Sequence, residues 1–405
     1  MIAHTRRPIG CVLVMTLALA AVLSPPTAIA QGTGRSMDFD LSIRSVGMGG
    51  ASNGVFWGDL DHWGNPALLG YARGIRYLHT RTQLVPGLAA DVVLKSDAVQ
   101  LGWGGLGVVF SGKPFERGGL LLDYGRSEST DPFGNPTGTF GSFERVRSWG
   151  AGVSLMRAIE SLADRAGAKR LDWSRYADVS AGMNWKHVEI ELAPAAALGK
   201  GSTTARDWGL HGRVTPIDWL EAPHVPPVRI DIAYGVSVLS YNDDAIVTFV
   251  SEDQASPVTR HHRRGGVIRL SAGRMPKLPG IANHPFADNF LRGLTPLISF
   301  ARAIDKAKLG GGPVIFAETH GDGYEITLAN VLFYCRGHYE DLLGQIDGDT
   351  WGWGAGLPIG TLAGFRYDDA HWPQARDSGL PMVDRQQWSF WLDPLEVMRL
   401  RSSRN

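Results

Sequence analysis

Ser52 lies in the pentapeptide Gly50–Gly54, "GASNG", which matches the G-x-S-x-G pattern of the nucleophile elbow in serine hydrolases. That elbow requires a buried strand directly before the serine and a helix directly after it. The flanking stretches are "SVGMG" and "VFWGDL", and neither is typical of such a strand or helix. Ser52 is therefore not expected to be a nucleophile. No other catalytic residue is predicted, and the chain is predicted not to be an enzyme.

Two further motifs indicate binding chemistry but lack the structural context that it requires. Gly102–Gly107, "GWGGLG", matches a dinucleotide-binding pattern, yet it lies in an apolar, strand-like stretch with no helix after it. Its glycines are better explained by close packing inside a β-barrel wall. The stretch "DGDTW", with Asp347 and Asp349, begins like a calcium loop but lacks the later oxygen ligands. A turn is predicted there instead.

His261 and His262 are adjacent, and paired imidazoles can bind metal ions. They stand beside Arg263 and Arg264 in "TRHHRRGG", and the sequence contains no cluster of cysteine and histidine. This stretch is therefore predicted to be a solvated cationic loop, part of a polar connection over residues 252–265. No metal site and no cofactor are predicted.

The first thirty residues are predicted to be an export signal. Arg6 and Arg7 give a positive n-region, and Cys11–Leu23 is an apolar run of suitable length. Thr27–Ala30, "TAIA", ends in the small-x-small pattern that signal peptidase accepts, so cleavage is expected after Ala30. The alternative, a membrane-anchoring helix, is disfavoured because the apolar run is short and two prolines follow it.

The chain after the signal is close to neutral, because the signal removes two arginines and no acid from a chain of formal charge zero. That balance argues against nucleic acid as a partner. Cys335 is the one cysteine after the signal, so an intramolecular disulfide and a cysteine-based zinc site are excluded. The 51 glycines and 13 tryptophans, without any later run of 18 apolar residues, favour a turn-rich β architecture.

Long stretches alternate apolar with polar or small residues, which indicates strands with two different faces. One such face carries Val228, Ile230, Ile232, Tyr234, Val236 and Val238. These strands are long enough to cross a bilayer, whereas strands of a soluble sandwich, the alternative, average about 5–6 residues. Aromatic residues near the strand ends suit an interfacial girdle. They are Trp149, Tyr234, Tyr324, Tyr334, Trp351 and Trp388.

These features predict an all-β fold, an antiparallel transmembrane β-barrel of about fourteen strands over residues 73–394, with long connections at one end. The predicted strands lie near 73–82, 88–95, 98–111, 118–125, 143–157, 178–192, 206–216, 228–241, 265–274, 294–304, 312–319, 323–336, 350–368 (one or two strands) and 386–394. A β-bulge is predicted near Lys186–His187, where the apolar face changes phase. A tight Asp-Gly turn is predicted in His320–Tyr324, "HGDGY".

The stretch 45–70 resembles the N-terminal segment of the FadL-like and PorV-like outer-membrane barrels. In those barrels a glycine-rich "GMGGA" is followed, after a spacer, by a "WNPA-L" element. The matching residues here are Gly47, Met48, Gly49, Gly50 and Ala51, then Trp63, Asn65, Pro66, Ala67 and Leu68. Gly64, between Trp63 and Asn65, departs from the pattern. The C-terminal strands are similar in layout, with a short Asp/Gly loop joining two long strands. The resemblance implies a barrel whose N-terminal segment plugs the lumen.

Residues 31–72 are accordingly predicted to be a plug. Asn65 can cap a helical turn that Pro66 begins and Gly70 ends. A lumen of about fourteen strands is too wide for wall side chains alone to fill. A disordered linker, the alternative, would be less apolar. The residues assigned to the plug are Gly47, Met48, Gly49, Gly50, Trp57, Trp63, Asn65, Pro66 and Leu68.

The leading hypothesis is an outer-membrane barrel of a Gram-negative-type bacterium that passes or binds small apolar molecules. In the family's transport proteins such a ligand binds within the barrel, and movement of the plug opens a route. The expected partners are outer-membrane lipid and a small hydrophobic ligand. One alternative is a PorV-like accessory barrel that docks secretion-system proteins, and another is an outer-membrane hydrolase. Residues 395–405 form a tail beyond the last strand, which is either a periplasmic extension or the mark of a different insertion signal.

Overall fold

The structure is a computed structural model that describes residues 34–112, 119–168, 172–192, 199–242, 246–247, 256–274, 285–311, 314–342, 344–360 and 362–402. The predicted export signal, residues 1–30, lies outside these described residues. No helix in the described part of the chain is both long and apolar enough to span a membrane.

Strands account for most of the described chain, because the period-two patterns continue for up to 23 residues. The strands are β1 (Gly74–Val85), β2 (Ala89–Trp103), β3 (Leu106–Ser111), β4 (Gly119–Thr130), β5 (Pro136–Ser154), β6 (Ala177–Glu191), β7 (Lys200–Ala222), β8 (Val225–Leu239), β9 (Ile246–Val247), β10 (Ser256–Pro257), β11 (Arg260–Ala272), β12 (Ile298–Gly311), β13 (Val314–Leu328), β14 (Leu332–Asp341), β15 (Ile346–Ile359), β16 (Ala363–Trp372) and β17 (Val383–Leu392).

The strands close into an antiparallel barrel. Most strands pair with the next in sequence, β8 pairs with β11, and β1 pairs with both β2 and β17, which joins the two edges. Since β3 and β4 both lie between β2 and β5, they fill one position of the wall. Counted over the described residues, the wall has fourteen strand positions, and β9 and β10 form a separate small sheet. The predicted barrel of about fourteen strands is confirmed.

Short helices lie inside the barrel or beyond its strands. The α-helices are α1 (Ile43–Gly47), α2 (Leu155–Arg165), α3 (Pro285–Gly293) and α4 (Pro394–Ser402), and the 3₁₀ helices are Arg35–Asp38, Pro66–Tyr71 and Trp173–Arg175. Helix α4 follows the last strand directly, so the predicted C-terminal tail begins as a helix. We call the end of the barrel where β1 begins and β17 ends the proximal end, and the opposite end the distal end.

The outer surface carries an apolar band around the proximal part of the wall. Its exposed side chains include Leu101, Leu106, Val153, Leu210, Ile232, Ile268, Ile304, Ile326, Leu357 and Phe390. Exposed aromatic residues follow on the distal side of this band, among them Tyr77, Trp149, Tyr234, Trp351 and Trp388. Apolar side chains bordered by aromatic residues are typical of a barrel wall in contact with lipid.

The distal part of the barrel has the opposite arrangement, with an apolar interior. Its buried core contains Met37, Leu41, Leu94, Leu120, Leu122, Val146, Val188, Ile190 and Ala205. This explains why the predicted bulge near Lys186–His187 is wrong: β6 pairs with β5 and β7 without a register shift. Proximal residues such as Trp185 are apolar and face outward, whereas Val188 and Ile190 face the distal core. The phase change therefore marks the edge of the apolar band.

Three further predictions of local structure are wrong: that Gly102–Gly107 lies within one strand, that His320–Tyr324 is a turn, and that Asp347 and Asp349 lie in a turn. The stretch Gly102–Gly107 is a hairpin, and its turn residues Gly104 and Gly105 have φ of 57° and 84°. The stretch His320–Tyr324 lies inside β13, and the hairpin turn follows at residues 329–331. Asp347 and Asp349 lie in β15. Long connections occur at both ends, after β5 and β11 at the proximal end and after β8 at the distal end, so the expected asymmetry is not observed.

Candidate functional site: the interior of the barrel

The chain before β1 runs along the lumen. We call residues 34–72 the N-terminal segment. It begins at the distal end, where Gly34 lies beside Val258, and ends at Ala72, beside Gly102 of β2. Every residue from 41 to 55 is buried, although only a few of them belong to a helix. A segment without regular structure can be buried in this way only where the wall supplies its polar partners.

The glycine-rich part of the segment lies against wall glycines. A Cβ atom added to Gly323 would lie 2.6 Å from Cα of Met48, and one added to Gly321 or Gly337 would overlap the backbone of Gly49. Gly49 itself has a φ of 70°, a conformation that glycine adopts without strain. The glycines of β13 thus allow the backbone of the segment to approach the backbone of the wall. They do not form the Asp-Gly turn that was predicted there.

A second close contact involves the segment's C-terminal turn. Asn65 precedes the 3₁₀ helix Pro66–Tyr71, and its Oδ1 accepts a hydrogen bond from the backbone N of Ala67 at 3.1 Å. This is the predicted cap, with Pro66 at the first helical position. Leu68 is fully buried. The wall residues beneath this turn are again glycines, namely Gly152, Gly182, Gly209 and Gly235.

Two tryptophans anchor the segment through their indole N–H groups. Nε1 of Trp57 donates to Oε1 of Glu325 at 3.0 Å. Nε1 of Trp63 donates to the backbone O of Met37 at 3.3 Å, and Nζ of Lys186 lies 3.8 Å from the centre of its indole ring. All nine residues that the sequence assigned to a plug therefore lie inside the barrel. Their action as a plug remains a prediction.

A network of buried charges connects the segment to the wall. Nε of Arg44 lies 2.8 Å from Oε2 of Glu325, and both side chains are less than 5% exposed. Asp59 pairs with Arg76 of β1 at 2.7 Å. Burial alone would raise the pKa of Asp59, but Arg76, Arg366 and Arg44 outweigh it and hold that pKa below its ordinary value. The segment's carboxylate is therefore held in its charged form.

A second charged cluster lies near the distal end, and it corrects a sequence prediction. His261 and Arg263 are not in a solvated loop, because β11 begins at Arg260 and turns both side chains inward. Nη1 of Arg263 lies 2.7 Å from Oδ1 of Asp40, and Nε2 of His261 lies 2.9 Å from Oδ1 of Asp38. His262 and Arg264 alternate with them and face outward. The stretch is thus a strand with one face toward the N-terminal segment.

Ser52 is held by the same cluster. Its Oγ accepts a hydrogen bond from Nη2 of Arg263 at 3.1 Å, and its backbone N donates to Oδ2 of Asp305 at 3.3 Å. Helix α1 ends before it, and the residues directly after it form a turn, so neither flank is a strand or a helix. The geometry around Ser52 is that of a packing contact.

A cavity of about 150 Å³ opens at the distal end beside the start of the N-terminal segment. Part of its lining is apolar and part is the charged cluster. The apolar part includes Phe39 of the segment and Leu309, Ile346 and Trp372 of the wall. The ring of Trp372 lies 4.3 Å from that of Tyr339, which also lines the cavity. A cavity of this size can hold a single aromatic ring.

The wall residues that hold the segment were not identified from the sequence: Arg263 was assigned to a loop, and Glu325, Asp305 and Arg366 were not singled out. The last three are charged residues on the inward face of a long strand. A charge on the inner face of a predicted strand is therefore the signal that could have identified them. Their partners in the segment are separated from them by hundreds of residues, so the pairing itself could not be inferred.

No protein-family model matches the sequence, and no curated protein matches it. Among solved structures, the chain is similar to the toluene transporter TbuX of Ralstonia pickettii, with 11% identity, a TM-score of 0.37, and coverage of 88% of this chain and 98% of that chain. It is also similar to the toluene transporter TodX of Pseudomonas putida, with 12% identity, a TM-score of 0.39, and coverage of 87% and 97%.

A third similar structure is a FadL homologue from Pseudomonas aeruginosa, with 8% identity, a TM-score of 0.40, and coverage of 88% of this chain and 98% of that chain. The compounds that TbuX and TodX transport are properties of those two proteins.

Proposed function

We propose that this chain is an outer-membrane β-barrel that passes or binds small apolar molecules and whose N-terminal segment closes the lumen as a plug. The observation that carries the proposal is the position of that segment, which is buried along the length of a barrel otherwise wide enough for a channel. A barrel filled in this way blocks free diffusion of polar solutes. Passage of any molecule then requires the segment to move.

The interior favours an apolar molecule at the distal end. Phe39, Leu309, Ile346 and Trp372 line the distal cavity, and the apolar core lies next to it. A small apolar molecule gains free energy by leaving water for such a surface, at roughly 25 cal/mol per Å². Toluene, which TbuX and TodX transport, is therefore the first ligand to test.

The segment is attached in a way that allows it to move. Its covalent link to the wall is at Ala72, before β1, and Cys335, the one cysteine after the predicted signal, leaves no partner for a disulfide there. Ion pairs, hydrogen bonds and close contacts hold the rest of it. A ligand that replaces some of these contacts at the distal end can shift the segment.

Location is the first test of this proposal. The chain is expected in the outer-membrane fraction after removal of residues 1–30, and it should migrate differently in detergent gels before and after heating. Recovery as a soluble periplasmic protein without detergent would exclude the barrel function.

Deletion of residues 34–72 tests the plug. The wall's backbone hydrogen bonds close without the segment, so the barrel should still form. The deletion should convert a silent barrel into a water-filled pore with large single-channel conductance, and the full-length protein is the control. Equal conductance of the two proteins would show that the segment is not a plug.

Uptake by cells tests the ligand, because toluene crosses a plain phospholipid bilayer without a protein. Cells whose outer membrane contains the full-length protein should take up toluene at low concentration faster than cells that lack it, and neither should gain uptake of a small sugar. Equal rates for toluene with and without the protein would exclude the transport function.

An accessory barrel that docks secretion proteins is a second candidate, and one observation favours it. Helix α2 projects from the proximal end with Leu155, Ile159 and Leu162 exposed on one face. Exposed apolar faces of this kind mark contact sites. Co-purification of a periplasmic protein that depends on Leu162, together with failure of toluene uptake, would favour this candidate. An esterase assay on the purified barrel tests the hydrolase alternative.

A further inference from the structure

Outward-facing charges beyond the distal edge of the apolar band occur mostly as ion pairs. Nη2 of Arg336 lies 2.7 Å from Oδ2 of Asp349, and Nδ1 of His79 lies 2.8 Å from Oδ1 of Asp97. Arg302 lies within the band, directly opposite Ile268, and it too has a partner, Asp322 on the neighbouring strand. Such pairs are expected where a barrel wall leaves the bilayer, because each charge then has a partner of opposite sign.

Strands β11 and β12 differ from this pattern. Arg264 of β11 is directly opposite Lys306 of β12, and both side chains are exposed on the outer surface. Within the described part of the chain, neither of them has a carboxylate oxygen within 4.0 Å. In the next outward-facing pair, His262 is directly opposite Lys308, which has a partner in Glu318. Like charges directly opposite each other destabilise a sheet, so among the described residues Arg264 and Lys306 lack the anion that would balance them.

The strands on either side do not supply that anion. On β8, the residues opposite Arg264 and His262 are Val236 and Val238. On β13, Glu318 forms an ion pair with Lys308 at 3.3 Å, and Asp322 forms one with Arg302. Neither carboxylate therefore balances Arg264 or Lys306. A second like pair, Arg81 opposite Lys95, lies on the other side of the barrel. There the next rung contains Asp97, so that pair has an acid close to it.

The surface next to this basic cluster is apolar. Tyr234 and Ile232 of β8 and Ile268 of β11 are exposed directly on its proximal side. Gly266 lies between Arg264 and Ile268 on the same face, and a Cβ atom added to it would lie 3.4 Å from Cδ2 of Tyr234, so the tyrosine ring covers this position. The cluster is thus continuous with the apolar band, and a molecule with an anionic head and apolar chains fits both surfaces.

We propose that Arg264 and Lys306 bind the phosphate of an anionic membrane lipid in the leaflet at the distal edge of the band. A guanidinium can hold phosphate with two parallel hydrogen bonds, and the lysine adds charge. The acyl chains lie over Ile268 and Ile232. The site rests on the proposed function, because the wall must lie in a membrane for lipid to reach it.

Titration of the purified full-length barrel in neutral detergent, with bound lipids counted by native mass spectrometry, tests the site. The probes are phosphatidylglycerol, phosphatidylcholine and inorganic phosphate. The double variant Arg264→Gln/Lys306→Gln should bind phosphatidylglycerol more weakly by about fivefold for each cation lost. The matched control is Arg336→Gln, which loses the same charge from an ion pair and should bind as the wild type does.

Three results would overturn the site. The double variant could bind phosphatidylglycerol as tightly as the wild type does, or phosphatidylcholine could bind equally well. Inorganic phosphate could also bind as tightly as the lipid, which would indicate a free-phosphate site. A shift in mobility on heating confirms that each variant is a folded barrel. If the wild type binds the lipid but does not take up toluene, the proposed transport alone is contradicted. If the wild type takes up toluene and the double variant binds the lipid as tightly as the wild type does, the lipid site alone is contradicted.

Discussion

The proximal and distal parts of the barrel wall are built from the same strands but bury opposite kinds of residue. In the proximal part, Trp185 of β6 and Ile232 of β8 face outward, and the interior is charged or glycine-rich. In the distal part, Val188 and Ile190 of β6 face inward into an apolar core, the Asp40–Arg263 ion pair lies inside the barrel as well, and other charged residues face outward. The difference shows where the strands leave an apolar surrounding and enter water. Apolar side chains turn away from whichever solvent disfavours them.

The N-terminal segment meets a different surface in each part. In the proximal part its contacts are directional: the Arg44–Glu325 ion pair, the indole N–H of Trp57, and backbone laid on Gly323. In the distal part Met37 and Leu41 join an apolar core, where contact depends mainly on buried area, and the Asp40–Arg263 ion pair adds a directional contact. Directional contacts therefore hold the segment in both parts, and the distal part adds an apolar core.

Removal of one buried charge tests the proximal contacts and should have the largest effect. Glu325→Gln leaves Arg44 buried without its carboxylate, which costs about 3–5 kcal/mol of the free energy that holds the segment in the lumen. The variant should show leak conductance and faster proteolysis of residues 34–72. The control Arg336→Gln breaks an ion pair that is more than half exposed and should cost at most about 1 kcal/mol. Equal leakage from both variants would contradict the assigned role of the buried pair.

Arginine placed on the outer wall tests the boundary between the two parts. Ile232→Arg should destabilise the folded barrel by about 2–4 kcal/mol, because the residue lies in the apolar band. Val238→Arg changes the same face of β8 three rungs further toward the distal end, opposite His262, and should cost about 0–1 kcal/mol. The measurement is the free energy of unfolding in urea with lipid vesicles present. A similar cost at both positions would place the boundary elsewhere.

The wall was predictable because its information is local. Alternation over long stretches, as in residues 228–238, identifies strands and their outward face without reference to any other part of the chain. The cap at Asn65 and the start at Pro66 were predictable for the same reason. The interior was not, because the pairing of Arg44 with Glu325 or of Asp40 with Arg263 depends on which strands close the barrel and in which register.

The errors share a physical cause. Gly321 and Gly323 look like turn residues, since glycine favours both tight turns and close backbone approach, and the sequence alone does not separate the two. The phase change in β6 looks like a bulge, because a reversal of the surrounding solvent and an extra residue produce the same pattern. His261 and Arg263 look solvated until the carboxylates of Asp38 and Asp40 are placed beside them.

Acidification should loosen the segment through His62. This side chain is buried, and burial, together with repulsion from Lys186, lowers its pKa from 6.5 to about 4. The neutral form is favoured inside the barrel, so the contribution of His62 is fully present above pH 6.5 and is lost as the pH falls toward 4. The loss is at most about 3 kcal/mol. Leak conductance should therefore rise over this range in the wild type, and the rise should be smaller in His62→Gln, which does not titrate. Identical pH profiles would exclude His62 as the cause.

The smallest effect is expected from the addition of a single methyl group in the variant Gly323→Ala. This variant tests whether the backbone of the segment is fixed in position. Gly323→Ala places a Cβ 2.6 Å from Cα of Met48, and backbone there cannot rotate away as a side chain could. The segment must shift, at about 1–3 kcal/mol, while the hydrogen bonds of β13 in the wall stay intact. The control Gly212→Ala adds the same methyl group to β7 where no atom lies within 4 Å. Fluorescence quenching of Trp57 by an aqueous quencher should increase for Gly323→Ala alone. Unchanged quenching in both variants would mean that the backbone position of the segment is not fixed at this level of the barrel.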